Sequence, residues 1–253
     1  MINIQQLIKN FDKASNNYLA NATIQRTPAL RLINLLDKYY DASTILDLGS
    51  GCGTLQHNQS INNYPTYAFD LSIKMLKLNH SEFKINGDAG CLPFADSSFS
   101  MIISNLMLQW ALDKKQVLHE VYRVLKPDGK IILSSLIKPS LYELHKAVIK
   151  IDNKPRTLNF LTENEYVRLF DNSGFNIVES YSWIDTIYFP TLIALLQHFK
   201  LTGTNLPRSG VSYGLGGRLQ LQQLANTYQQ HPNGLPLTYS YLLIVASKGT
   251  ILS

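Results

Sequence analysis

After Asp185 the sequence contains no aspartate or glutamate, although Lys200, Arg208, Arg218 and Lys248 all fall in that last stretch. A one-signed segment of this kind favours an acidic partner through steering and complementarity, and a chance shortage of carboxylates leaves the same pattern. No Lys/Arg-dense stripe or RNA-binding signature accompanies the net charge of +5, so nucleic acid is not the expected partner. Cysteine is scarce: Cys52 and Cys91 have no metal-ligand spacing and cannot build a disulfide framework, which predicts reduced thiols and no metal. No apolar run approaches the ~20 residues of a membrane span. The opening "MINIQQLIKNFDKAS" lacks the apolar segment and small-residue cleavage site of a secretory signal, so a cytoplasmic location is expected.

What remains is a chain of 253 residues, 45% hydrophobic and 16% charged, enough for one large domain or a core with an inserted subdomain. Residues 3–39 read as helical, with Ile4, Leu7, Ile8 and Phe11 and then Leu30, Ile33, Leu35 and Leu36 at helical spacing. Thr27 is the expected cap of the second helix and Pro28 its first turn. "TILDLGSGCGTL" predicts a buried strand passing through a glycine loop into a helix; "TYAFDLS", "FKINGDAGCLPF" and "FSMIISNL" predict three further strands. "KKQVLHEVYRVLKPDGKIILSSL" reads as a helix, a Pro-Asp-Gly turn and a fifth strand. This alternation argues for a doubly wound, mostly parallel α/β sheet. Later come two amphipathic helices, the second capped by Thr162 and ended by Gly174, and two strands that alternate like an antiparallel edge. Between those strands, roughly residues 190–235 read as a helical insertion.

The chemistry concentrates in "LDLGSGCGT". Gly49, Gly51 and Gly53 permit a sharp turn and close ligand approach at the end of the first strand. Alone, that triplet is shared with dehydrogenases. Asp47, two residues earlier, places a carboxylate where a pyrophosphate would be repelled and a cation would not. Asp70 ends the second strand, placed for two ribose hydroxyls, and Asp88 follows the third strand, placed to accept from an adenine amino group. Together with "VYRVLKPDGKIILSS", these residues resemble the class I S-adenosylmethionine-dependent methyltransferases over roughly residues 41–137. The resemblance implies a Rossmann-like, seven-stranded sheet with an antiparallel edge strand and a helical insertion between the last two strands. It implies S-adenosylmethionine as cofactor, with Leu71 and Ala89 beside the two later acids.

The flanks are similar to a narrower family, the malonyl-acyl carrier protein O-methyltransferases of biotin synthesis. The matching segments are "FDKASNNYLANATIQR", "SNLMLQW", "SLYELHKAVIKIDNKPRTLNFLT", "FKLTGTNL" and "LPLTYSYLL". Departures are Phe199 where leucine is usual and a short, polar "QHNQSINNY" where a fuller helix is common. The resemblance implies a helical lid over 1–40, a core over 41–189 with a helix inserted after strand five, a helical cap over 190–235, and a final strand over 236–253. It implies methyl transfer to the free carboxylate of a malonyl thioester on an acidic acyl carrier protein. A carboxylate with a pKa of ~3.9 is already ionised at neutral pH, so no general base is needed. Tyr18, His145 and Lys200 are the implied catalytic residues; Gln25 and Asn105 join the cofactor set. Trp110 walls the acyl channel or packs in the core, and Arg156, Arg208 and Arg218 are candidates for acceptor and carrier. Tyr18, His145 and Lys200 also admit plain readings, as a packing tyrosine, an interior or surface histidine and a solvated lysine. The other readings are a methyltransferase for a quinone-type small molecule and a non-catalytic S-adenosylmethionine-binding protein.

Overall fold

The computed structural model describes residues 3–40, 44–57, 61, 64–152, 158–204 and 215–249. Seven strands form one sheet in the order β3-β2-β1-β4-β5-β7-β6. They are β1 (Ile45–Leu48), β2 (Thr66–Asp70), β3 (Phe83–Asn86), β4 (Phe99–Asn105), β5 (Leu125–Ile137), β6 (Phe175–Phe189) and β7 (Leu235–Lys248). The first five run parallel, and β7 lies antiparallel between β5 and β6, so the antiparallel pair makes that edge of the sheet. The order reverses between β1 and β4, which opens a crevice at the carboxyl ends of the strands.

Helices α1 (Ile4–Asn21) and α2 (Thr23–Tyr39) precede the sheet, and α3 (Ile73–Leu78), α4 (Lys114–Val124), α5 (Tyr142–Asp152) and α6 (Glu163–Asp171) punctuate it. The insertion between β6 and β7 contains α7 (Leu192–Leu201) and α8 (Leu215–Thr227). All four residues of β1 are buried, the pattern of a parallel strand covered on both faces. On one face Leu46, Leu48, Ile131 and Leu133 pack with Val117, Val121 and Val124 of α4 and with Tyr166 and Phe170 of α6. On the other, Ile45, Ile103, Ile132 and Val245 pack with Ala29, Leu32, Ile33 and Leu36 of α2. Burial of each such leucine or isoleucine contributes roughly 1.5–3 kcal/mol, well above any helix propensity, so these stripes dock α2 and α4. A third cluster joins Leu144, Phe160, Leu195, Phe199, Leu237 and Tyr239 beneath the insertion.

Local signals held at α6. Thr162 accepts from the backbone N–H of Glu165 at 3.2 Å while Glu165 accepts from the Thr162 N–H at 2.7 Å, a complete capping box, and Gly174 follows the helix at φ +86°. Two expectations are corrected. Helix α2 starts at Thr23, not after Thr27, which puts Pro28 inside it; burial of Ile24, Gln25 and Pro28 extends the packed stripe past the proline. The helix expected after the glycine loop does not form over residues 51–57, which run in turns. Gly51 and Gly53 disfavour a helix there, and Cys52 and Leu55 are buried from within the turns. Among the described residues no helix is long and apolar enough to cross a membrane.

Candidate functional site

Gly49, Gly51 and Gly53 adopt φ of +78°, +53° and +88°, a left-handed run that only glycine adopts without strain. At Gly49 a Cβ would lie 2.3 Å from Cγ of Met107, so the loop needs the bare backbone to pass beneath the segment after β4; at Gly51 a Cβ would meet open space. Asp70 fastens this loop from the neighbouring strand, accepting from Gly51 N–H at 2.8 Å and from Ser72 N–H at 2.7 Å. Burial raises its pKa, and those two backbone donors oppose the rise.

Asp47 is almost wholly buried at the end of β1. One carboxylate oxygen, Oδ2, accepts from Gln56 Nε2 at 2.9 Å; Oδ1 has no partner among the described residues. Burial pushes its pKa up to about 7, with Gln56 acting against the shift and the charge of Asp70 adding to it. Ser50 Oγ and Gln25 Oε1 are likewise buried without partners. Unpaired buried acceptors are costly, and such a set suits a cationic, hydrogen-donating ligand. The amino group and sulfonium of S-adenosylmethionine supply both properties, so the residues fit that cofactor.

The third acid stands on a loop held from below. Arg123 of α4 donates to the carbonyls of Phe94 at 2.7 Å and Leu92 at 3.0 Å, and pairs with Glu120 and Asp96 at 2.8 Å each. Glu120 in turn accepts from Leu92 N–H at 2.7 Å. Asp88, exposed on this loop, accepts from Gly90 N–H at 2.8 Å.

These elements line a cavity of about 410 Å³. Gly49, Gly51, Asp70, Leu71, Asp88 and Ala89 border it from the β1–β2–β3 side. From the β4–β5–β7 side come Leu106, Gln109, Leu136, Leu141, Phe160, Phe199 and Tyr239, mostly apolar. Helix α1 covers it with Ile4, Leu7, Ile8, Phe11 and Tyr18. Tyr18 also borders the small recess at Asp47, where Asn105 meets it. Burial raises the Tyr18 pKa, so its hydroxyl stays protonated and available as a donor. Asn105 bridges sheet and α2, donating to the Gln25 carbonyl at 3.1 Å and accepting from Ser134 Oγ at 2.7 Å. Trp110 is half-buried, edge-on to Phe11 at 5.6 Å, and so both packs and lines the cavity.

The structure brings together Tyr18, Gln25, Asp47, Gly49, Gly51, Asp70, Leu71, Asp88, Ala89, Asn105 and Trp110 around the cavity and its recess. Gly53 lies behind the loop, donating to the Ser50 carbonyl at 3.0 Å. His145, half-buried on α5, and Lys200, exposed in the last turn of α7, are not among the cavity-lining residues. Arg156 and Arg208 lie outside the described residues, as does the side chain of Arg218 on α8. Sequence reasoning passed over Tyr239 and His198. His198 is buried, its Nε2 lies 3.0 Å from the Tyr239 hydroxyl, and burial lowers its pKa to about 4. It stands two residues before Lys200, on the opposite side of the helix, and no motif singles it out in the sequence.

A reversing parallel sheet, with acids at the ends of β1 and β2 and a recess suited to a cation, defines a class I S-adenosylmethionine-dependent methyltransferase. Residues 46–133 match the family model described as a methyltransferase domain. An S-adenosylmethionine-dependent methyltransferase structure from Thermotoga maritima superposes with a TM-score of 0.57 at 18% identity, covering 96% of this chain and 99% of that one. A malonyl-[acyl-carrier protein] O-methyltransferase of Dechloromonas aromatica is 32% identical over 246 residues, covering 95% of this chain and 93% of the relative. The chain belongs to the malonyl-[acyl-carrier protein] O-methyltransferase family. The biotin biosynthesis bifunctional protein BioHC of Cellvibrio japonicus is 29% identical over 96% of this chain, which spans 50% of that longer protein.

Proposed function

We propose that the protein transfers the methyl of S-adenosylmethionine to the free carboxylate of a malonyl thioester on acyl carrier protein, in biotin synthesis. The observation that carries this reading is the cavity's two-sided lining: Asp70 and Asp88 on one side, with the unpartnered Asp47 oxygen in the adjoining recess, and an apolar wall on the other. Asp47 and Gln25 would hold the amino-acid end of the cofactor, Asp70 the ribose and Asp88 the adenine, with Leu71 and Ala89 beside them. When bound, S-adenosylmethionine supplies an electrophilic methyl on a sulfonium.

The chain's own work is alignment and exclusion of water. The malonyl carboxylate is ionised at neutral pH, so no residue has to remove a proton. Phe11, Trp110, Leu136 and Phe199 close an apolar space in which a carboxylate oxygen sheds water and gains nucleophilicity. Tyr18 donates a hydrogen bond where the α1 cover meets the glycine loop, limiting the orientations open to the reacting groups. The acid-free stretch after Asp185 complements an acidic carrier.

The test is incubation with malonyl-acyl carrier protein and methyl-labelled S-adenosylmethionine, which yields a base-labile methyl ester. No transfer under conditions where cofactor binding is verified counts against this acceptor. A second reading, a neutral ring acceptor of quinone type, draws on the absence of Lys, Arg and His from the cavity wall among the described residues; the same assay with such an acceptor separates the two.

A further inference from the structure

Two consecutive serines of β5 grip two amide side chains, Asn105 at the end of β4 and Gln109 in the segment after it. Ser134 Oγ donates to Asn105 Oδ1 at 2.7 Å, and Ser135 Oγ donates to Gln109 Oε1 at 3.0 Å. Asn105 spends its own N–H on the Gln25 carbonyl at 3.1 Å. Gln109 does not: its Oε1 receives Ser135 and also the backbone N–H of Leu136 at 3.4 Å, while its Nε2 has no hydrogen-bond partner among the described residues. A backbone N–H only donates, so the amide oxygen is fixed toward β5 and the NH2 group faces away from it. Ser135 is itself held, its Oγ 2.5 Å from the Tyr166 hydroxyl. Gln109 is 6% exposed and lines the cavity on the β5 side, near Leu136 and away from β2 and β3, whose ends lead to Asp70 and Asp88.

We infer that Gln109 binds the carboxylate of the acceptor, its Nε2 donating to the oxygen that does not receive the methyl. This rests on the proposed function and names a determinant of its specificity. The chemistry favours such a donor. The nucleophile is the carboxylate itself, and a guanidinium or ammonium paired to it withdraws charge from the attacking oxygen. A neutral amide orients the group and leaves its charge available. Gln109 has one N–H set to offer and a clamped oxygen that cannot swing round to repel the anion.

The test compares wild type, Gln109→Leu and Gln109→Glu for turnover of malonyl-acyl carrier protein and, separately, for binding of S-adenosylhomocysteine by calorimetry. Leucine removes the donor. Glutamate preserves an oxygen for Ser135 and Leu136 and changes only the group that faces the cavity. The expected result is a loss in kcat/KM of about 10- to 100-fold for Gln109→Leu, a larger loss for Gln109→Glu, and S-adenosylhomocysteine affinity within about threefold of wild type for both. A merely structural role reverses the order, because glutamate keeps the clamp that leucine breaks. Turnover undiminished in Gln109→Leu, or glutamate tolerated better than leucine, or equal losses in turnover and S-adenosylhomocysteine binding, overturns the inference while the proposed function stands. Failure of the wild type to methylate malonyl-acyl carrier protein overturns both.

Discussion

The hydroxyl of Tyr241, on β7, donates to the backbone carbonyl of Ile24, on α2, at 3.2 Å. That carbonyl is the one Pro28 leaves open, since proline four residues on has no N–H to return to it. A strand near the far end of the sequence thus completes a helix near its start, and does so next to Gln25.

The first prediction follows from that pair. Tyr241→Phe leaves the Ile24 carbonyl buried without its donor and costs about 1 kcal/mol. In a Pro28→Ala background, where residue 28 regains its N–H, the same substitution costs less. Thermal denaturation of the four proteins of this double-mutant cycle measures the coupling; full additivity would mean that the hydroxyl does not replace the missing helical bond.

A second prediction concerns pH. The Asp47 pKa is raised by burial to about 7 in the free protein, above its unfolded value near 3.8, so protonation of this group adds stability that is fully present below pH 3.8 and lost as pH rises through about 7. A cationic ligand favours the ionised form. Affinity for S-adenosylhomocysteine, which keeps the amino group, therefore falls as pH drops below about 7, approaching tenfold per unit, with proton release on binding. Asp47→Asn flattens this dependence and stabilises the free protein above pH 7. Calorimetry in buffers of different ionisation heat reads both effects, and a pH-independent affinity between pH 5.5 and 7 contradicts the assignment.

Asp70→Ala is expected to weaken cofactor binding far more than Lys200→Ala. Removing the carboxylate takes away the proposed ribose acceptor and also frees the N–H groups of Gly51 and Ser72, which loosens the glycine loop. Loss of two charge-assisted hydrogen bonds and a ligand contact corresponds to at least about 100-fold in Kd. Lys200 is exposed outside the cavity wall, and its removal leaves Kd within about threefold by the same titration.

Charge reversal at Arg208 or Arg218 is expected to weaken association with acyl carrier protein chiefly through the on-rate, with the deficit shrinking as salt rises toward about 0.5 M. Surface-immobilised carrier protein and a salt series measure it. A salt-independent loss argues against electrostatic docking by the acid-free stretch.

What the sequence disclosed of this molecule depended on range. The Thr162 capping box involves two residues three apart, and it was readable as written. The run Leu46, Asp47, Leu48 announced a buried strand carrying one out-of-place acid, and Asp70 stood at, and Asp88 just after, strand ends that alternation alone located. Pro28 misled, because proline is common in a helix's first turn and nothing nearby reveals that Tyr241 can replace the missing donor. Helix α7 misled differently: His198, Phe199 and Lys200 are adjacent, and the neighbours that turn His198 and Phe199 inward and leave Lys200 outside belong to β7 and α1. Gln109 acquires its orientation from Ser135, 26 positions away.

The turns at residues 51–57 have an electrostatic consequence. A helix beginning at the glycine loop would bring roughly half a positive charge to its N-terminus, the feature by which related folds hold phosphates. Here no helix starts there among the described residues, and the potential at the loop is set by Asp47 and Asp70. The short crossover therefore sorts ligands by sign. A diphosphate meets Asp47 and Asp70 with no helix N-terminus among the described residues to offset them, and a cation meets the same two acids.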